Sequence, residues 1–182
     1  MALKDKLTGR MSKKDILEIV SLTRGVENDA RKEELYRLSS DPKPRTATNA
    51  LWCLTHFDKD GIEWLHVKHN ELIDRVMVEK DTAKCRLMLR LLLSQPFDEE
   101  GLRADFIDFC ADKITACSQP YAVRASCIKL AYEQMRHYPE LLNELETALD
   151  LLSQEPLSAG VLSAKRQVMK KIEQQKKKIQ RA

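Results

Sequence analysis

Apolar positions in this chain recur three and four apart, the spacing of a helix face, and β-branched residues never alternate over a strand-length run. The first stripe is Ile16, Leu17, Ile19 and Val20. Ser12 and Asp15 before it fit a helix N-cap and its reciprocal carboxylate, and Gly25 is a natural stop. A short helix with Leu35 and Leu38 inward follows to Ser39. The next runs from about Pro44 to Phe57, with Ala47, Ala50, Leu51 and Leu54 inward, and Pro44 suits a first turn, where no helical N–H bond is lost. A helix from about Ile62 to Val78 is expected to be irregular near His66–Asn70. Asp81 caps one that is apolar nearly all round (Leu87, Met88, Leu89, Leu91, Leu92, Leu93), which places it between neighbours. Asp98 or Glu99 then opens a helix carrying Leu102, Phe106, Phe109, Cys110 and Ile114. Helices from Tyr121 to His137, from Pro139 to Leu152, and from Ser158 onward complete about nine.

The breaks between these helices repeat. Asp41-Pro42-Lys43-Pro44, Glu79-Lys80-Asp81, Ser118-Gln119-Pro120 and Ser153-Gln154-Glu155-Pro156 lie about 36 to 40 residues apart, the period of stacked helical hairpins. The pattern predicts one helical-repeat domain over residues 1–182. Residues 1–25 form an N-terminal cap, 26–172 about four hairpins, and 173–182 a basic tail that frays into solvent.

The openings of the post-break helices carry a resemblance. Tyr121-Ala122-Val123-Arg124-Ala125, followed by Cys127 and Leu130, resembles the HEAT repeat pattern of a turn, Val-Arg, small residues and Leu. Pro44-Arg45-Thr46-Ala47 with Ala50 and Leu51 is a second copy. Thr82-Ala83-Lys84-Cys85 is a third with Lys in the Arg place, and a fourth around Leu157–Lys165 lacks the Arg. The resemblance covers roughly residues 30–172 and is similar to short bacterial HEAT-like proteins through stretches such as Tyr138-Pro139-Glu140-Leu141-Leu142. It implies an all-α fold, a right-handed α-α superhelix of the HEAT or armadillo kind, in which the repeat Arg reaches a turn acid or a carbonyl and locks neighbours. It implies no particular activity.

Composition narrows the function classes. Hydrophobic residues make up 43% and charged residues 32%, and no run of 18 apolar residues exists to span a bilayer. The basic, apolar-poor N-terminus is not a secretory signal, so a cytoplasmic protein is expected. The five cysteines form no CxxC pair and sit among apolar neighbours, which reads as small buried hydrophobes rather than zinc ligands or a disulfide framework. The net charge of +3 conceals an asymmetry. Residues 1–24 hold six basic against three acidic side chains and residues 165–182 eight against one, leaving 17 basic against 24 acidic in the body.

Few residues suggest chemistry. His66 and His69 share a helix face with Glu63, a conceivable metal or acid–base group, but a solvated mixed-charge face is the plainer reading. His56 with Asp58 and Asp60 sits at a helix end, where histidine is favoured by the dipole. No GxSxG elbow, phosphate loop, dinucleotide glycine motif or Cys–His–Asn order is present. The expectation is therefore a non-catalytic module without cofactor or metal, binding a protein or peptide on the layer of helices that open near Pro44, Thr82, Tyr121 and Ser158. Candidate contacts are Asn49, Trp52, Arg86, Arg90, Lys129 and Arg136. The alternative is nucleic-acid binding through the basic termini, weakened by the acidic body and by an aromatic content of 5%. HEAT-like DNA glycosylases, by resemblance, use a basic groove along the repeats, which this chain lacks.

Overall fold

The computed structural model describes residues 3–152 and 156–179. Among them are eleven α-helices and no strand. They are α1 (Leu3–Lys6), α2 (Lys13–Ser21), α3 (Asp29–Leu38), α4 (Pro44–Leu54), α5 (Lys59–His66), α6 (His69–Val78), α7 (Thr82–Leu93), α8 (Ala104–Thr115), α9 (Tyr121–Met135), α10 (Pro139–Leu151) and α11 (Ala159–Ile179). The all-α helical-repeat class expected from the spacing is what the structure shows. Two elements raise the count from nine. A one-turn helix precedes α2, and the stretch from Ile62 to Val78 is two helices parted at Val67 and Lys68.

Local chemistry explains the boundaries. Ser12 and Asp15 form a full capping box at α2. The main-chain and hydroxyl bonds from Ser12 hold the Asp15 carboxyl below its ordinary value. The Asp81 carboxylate accepts from the Lys84 amide at 2.9 Å and starts α7. Pro44 and Pro139 sit in first turns. Gly25 takes φ +79°, a left-handed conformation that a side chain resists. One expected start is wrong. Residues 99–101 make a separate 3-10 turn, and α8 opens at Ala104 after extended Leu102 and Arg103, with the Arg103 amide donating to Gln134 Oε1 at 2.8 Å.

The chain divides into two compact units, at residues 95 and 96. In the first, α4 packs against α2, α3 and α7, and α6 covers α7. Leu51, Leu54, Leu65, Leu72, Met88 and Leu92 are fully or almost fully buried there, each worth about 1.5–3 kcal/mol in apolar burial. In the second, α9 packs against α8, α10 and α11. Phe106, Cys127, Leu130, Leu142, Val161 and Ile172 form its core.

The basic end departs from expectation. Residues 173–179 continue α11 rather than fraying. Ile172 is buried, Lys176 pairs with Glu146 of α10, and Lys177 pairs with Glu173 one turn back at 2.6 Å. Residues 180–182, and Ser153-Gln154-Glu155 of the fourth break, lie outside the described residues.

Candidate functional site

The face of α4 that does not enter the core carries Arg45, Thr48 and Trp52, three and four residues apart and so on one side of the helix. Asn49 lies beside them, 8% exposed. Its side-chain amide donates to the Leu7 carbonyl at 2.8 Å and to the Gly9 carbonyl at 3.0 Å. This clip lays residues 7–11 along α4. Leu7 is fully buried, and the Lys4–Asp41 pair at 2.6 Å and the Lys6–Glu18 pair at 3.1 Å hold the strap on either side.

Strap and helix together form a groove of about 770 Å³, lined by Gly9, Arg10, Met11, Pro44, Arg45, Thr48, Asn49 and Trp52. Arg10 and Arg45 are exposed, Met11 and Trp52 half-buried. Neither arginine side chain takes part in a hydrogen bond or ion pair among the described residues, and no acidic residue lines the groove. The Trp52 ring meets the His56 ring edge-on, centroids 6.3 Å apart, and His56 Nδ1 lies 3.0 Å from the Trp52 carbonyl, so Nδ1–H donates there. The volume is in the range of concave binding sites.

The candidate contacts separate on inspection. Trp52 is available in the groove. Asn49 is not, because its amide is spent on the strap. Arg136 is also spent: it donates to Glu133 at 2.9 Å and to the Phe97 carbonyl at 3.1 Å, tying the end of α9 to the segment before α8. Partners 39 to 42 residues away in sequence engage both side chains. Arg86 and Arg90 are exposed one turn apart on α7 and do not line the groove. Lys129 is half-buried on α9 in the second unit. Arg10, Met11 and Arg45 line the groove and were not among the expected contacts. Arg45 shows in the sequence as one stripe with Thr48 and Trp52, whereas nothing near Arg10 in sequence announces that it faces α4.

The repeat arginines divide as well. Arg124, 3% exposed, donates from Nε to the Ile114 carbonyl at 2.9 Å, the locking role that the resemblance implies. Lys84 reaches the turn acid Glu79 at 2.8 Å. Burial pushes the Glu79 carboxyl up, but Lys84 and the Asp81 amide outweigh it and hold the group below its ordinary value. Arg45 occupies the same repeat position and locks nothing.

The histidine clusters do not assemble chemistry. His66 and His69 lie 5.3 Å apart by ring centroid, but His69 Nδ1 is 2.9 Å from Gln95 Oε1 and Glu63 turns to Lys59. Asp58 caps α5 rather than facing His56. Among the described residues no group of three or more His, Cys, Asp or Glu is placed to hold a metal ion. Trp64 is structural. It meets Tyr36 and Phe57 edge-on at 6.5 Å, and Lys68 sits over both Tyr36 and Trp64. Burial pushes the Tyr36 hydroxyl up to about 12.

A second cavity, of about 830 Å³, is lined by Asp98, Glu99, Glu100, Gly101 and Tyr138 in the second unit. Part of the basic charge of the C-terminal end is paired, three side chains with the acidic body and one with Glu173 of α11 itself. Four of the seven basic side chains in the described part of α11 form ion pairs, Lys165 with Asp150, Lys171 with Glu133, Lys176 with Glu146 and Lys177 with Glu173.

A family model described as "HEAT repeat domain" matches residues 3–172. No curated protein and no solved structure matches the chain.

Proposed function

The chain belongs to the HEAT repeat domain family, and we propose that it works as a non-catalytic protein-binding module. HEAT repeats generally mediate contacts between proteins. The observation that carries the reading to a place on this chain is the open groove at α4, where an indole lies half-buried with two arginines around it. A partner segment would seat an apolar side chain against Trp52, a residue type that anchors interfaces, while the repeats supply a rigid backing. Family membership also supports the absence of catalysis, since HEAT repeats generally serve as scaffolds.

Nucleic-acid binding through the termini, the alternative from sequence, has less support here: three of the seven basic side chains in the described part of α11 already pair with acids of the body, which reduces the counterions released on binding a phosphate chain. No helix among the described residues is long and apolar enough to cross a membrane. No disulfide joins the five cysteines, which supports the cytoplasmic location as part of the same proposal.

The test is affinity capture from nuclease-treated lysate of the source cells, run in parallel with Trp52→Ala. Protein partners retained by the wild type and lost with the variant carry the reading, because truncating an interface anchor costs about 2 kcal/mol or more. Partners retained equally by both sink it.

A further inference from the structure

Two exposed arginines of the first unit share a groove. In the first unit Arg24 lies 3.5 Å from Asp58, Arg31 donates to the Leu22 carbonyl and Arg75 donates to Ser39. Arg37, Arg86 and Arg90 are exposed without such a partner among the described residues, but none of them lines the groove. Arg10 and Arg45 face one groove from two different elements and hold nothing. Arg45 belongs to the body of residues 25–164, with 24 acidic against 17 basic side chains, and Arg10 to the basic stretch before it. A pair of guanidinium groups left without an acid presents a donor fork that matches carboxylate geometry. Met11, Pro44 and Trp52 make the remaining wall apolar.

The combination selects among anionic partners. A nucleic-acid track needs cations spaced along the backbone and several stacking rings. This groove has two cations and one indole, and its volume holds a few residues of chain. A peptide with carboxylates flanking an apolar side chain satisfies all three features together. We infer that the groove takes an acidic segment of a partner protein, its carboxylates on Arg10 and Arg45 and an apolar side chain on Trp52. This rests on the protein-binding reading above and names the chemistry of the bound segment. Asn49 is the positioning residue, since its bonds to Leu7 and Gly9 set where Arg10 stands.

The experiment selects random dodecapeptides on phage against the full chain. The winners are then synthesised with fluorescein and titrated by anisotropy against wild type, Arg10→Glu/Arg45→Glu, Arg10→Gln/Arg45→Gln and Trp52→Ala. Selected peptides should carry Asp or Glu beside Leu, Ile or Phe. The Gln pair should weaken them on the order of tenfold and the Glu pair further, with wild-type affinity falling as salt rises. Both arginines are exposed, so the arginine variants should keep the wild-type helical circular dichroism. Winners that are neutral or basic, or a Glu pair that binds within about threefold of wild type, overturn the acidic assignment. If those same winners still need Trp52, the protein-binding reading stands. Winners indifferent to all the variants, or none at all, overturn both. A fluorescein-labelled single-stranded oligonucleotide that binds through the two arginines more tightly than the best peptide overturns the assignment in favour of nucleic acid.

Discussion

Asn49→Ala tests whether the N-terminal strap is a wall of the groove or a loose end. The side chain donates to two carbonyls, and the two losses differ. The bond to Leu7 is buried, so its carbonyl is left without water and the cost sits near the upper end of the usual range, about 1.5 kcal/mol. The bond to Gly9 is only part-buried, and that residue is exposed, so its carbonyl rehydrates and the cost is about 0.5–1 kcal/mol. Alanine recovers about 0.5 kcal/mol through better helix propensity at a mid-helix position. The net is a loss of about 1.5–2 kcal/mol, which lowers Tm by about 3–8 °C for a chain of this size. Urea denaturation followed by circular dichroism measures it. The decisive control is the same substitution in a chain lacking residues 1–10, where the amide has no carbonyl to meet. There the substitution should cost nothing, or stabilise slightly, giving a coupling near the full loss. Equal destabilisation in both backgrounds would refute the clip.

Arg124→Ala should destabilise by about 1.5–3 kcal/mol, because a buried guanidinium bond to Ile114 is lost, whereas Arg45→Ala in the matching repeat position should stay within about 0.5 kcal/mol; urea midpoints compare them. Gly61→Ala should destabilise by about 1 kcal/mol or more despite alanine's better helix propensity, since a Cβ there would lie 2.8 Å from Phe57 Cδ2 and 2.9 Å from its Cβ. Thermal melting reads the sign, and a rise in Tm would show that Phe57 gives way. The Glu79–Lys84 pair should add a pH dependence. The Glu79 carboxyl titrates lower folded than its ordinary 4.5, so its stabilisation is complete above that pH and fades as pH falls through the folded value. Lys84→Met should flatten the difference in stability between pH 6 and acid, and an unchanged slope would count against the pair.

What the chain declares locally, the structure follows. Ser12 with Asp15, Asp81, Pro44 and Pro139 sit within four residues of what they satisfy, so a linear reading finds them. Asp98 and Glu99 looked equally good as helix starts. They open only a single 3-10 turn, after which Leu102 and Arg103 are extended and the Arg103 amide is claimed by Gln134, 31 residues on. The basic tail reads as solvated until Glu146 and buried Ile172 are placed beside it. The site follows the same rule. Trp52 and Arg45 are visible as a stripe, while Arg10 reaches the groove only because Asn49 grips the strap about 40 residues before it.

Polar residues on the inner helices of a repeat protein fall into two kinds, and one sequence does not sort them. Some are consumed by the fold: Asn49, Arg124, Arg136 and Lys84 each satisfy a carbonyl or an acid. Removing them costs stability, and that cost conceals any part in binding. Others have no such duty. Arg45 stands in the very position where Arg124 locks its repeat, yet it is exposed and faces a groove with Arg10. A charge exempt from structural work is free to be chosen for a partner, because changing it leaves the core undisturbed. The groove at α4 is where two such charges meet a half-buried indole, and for that reason it is the first place on this chain to look for a bound segment.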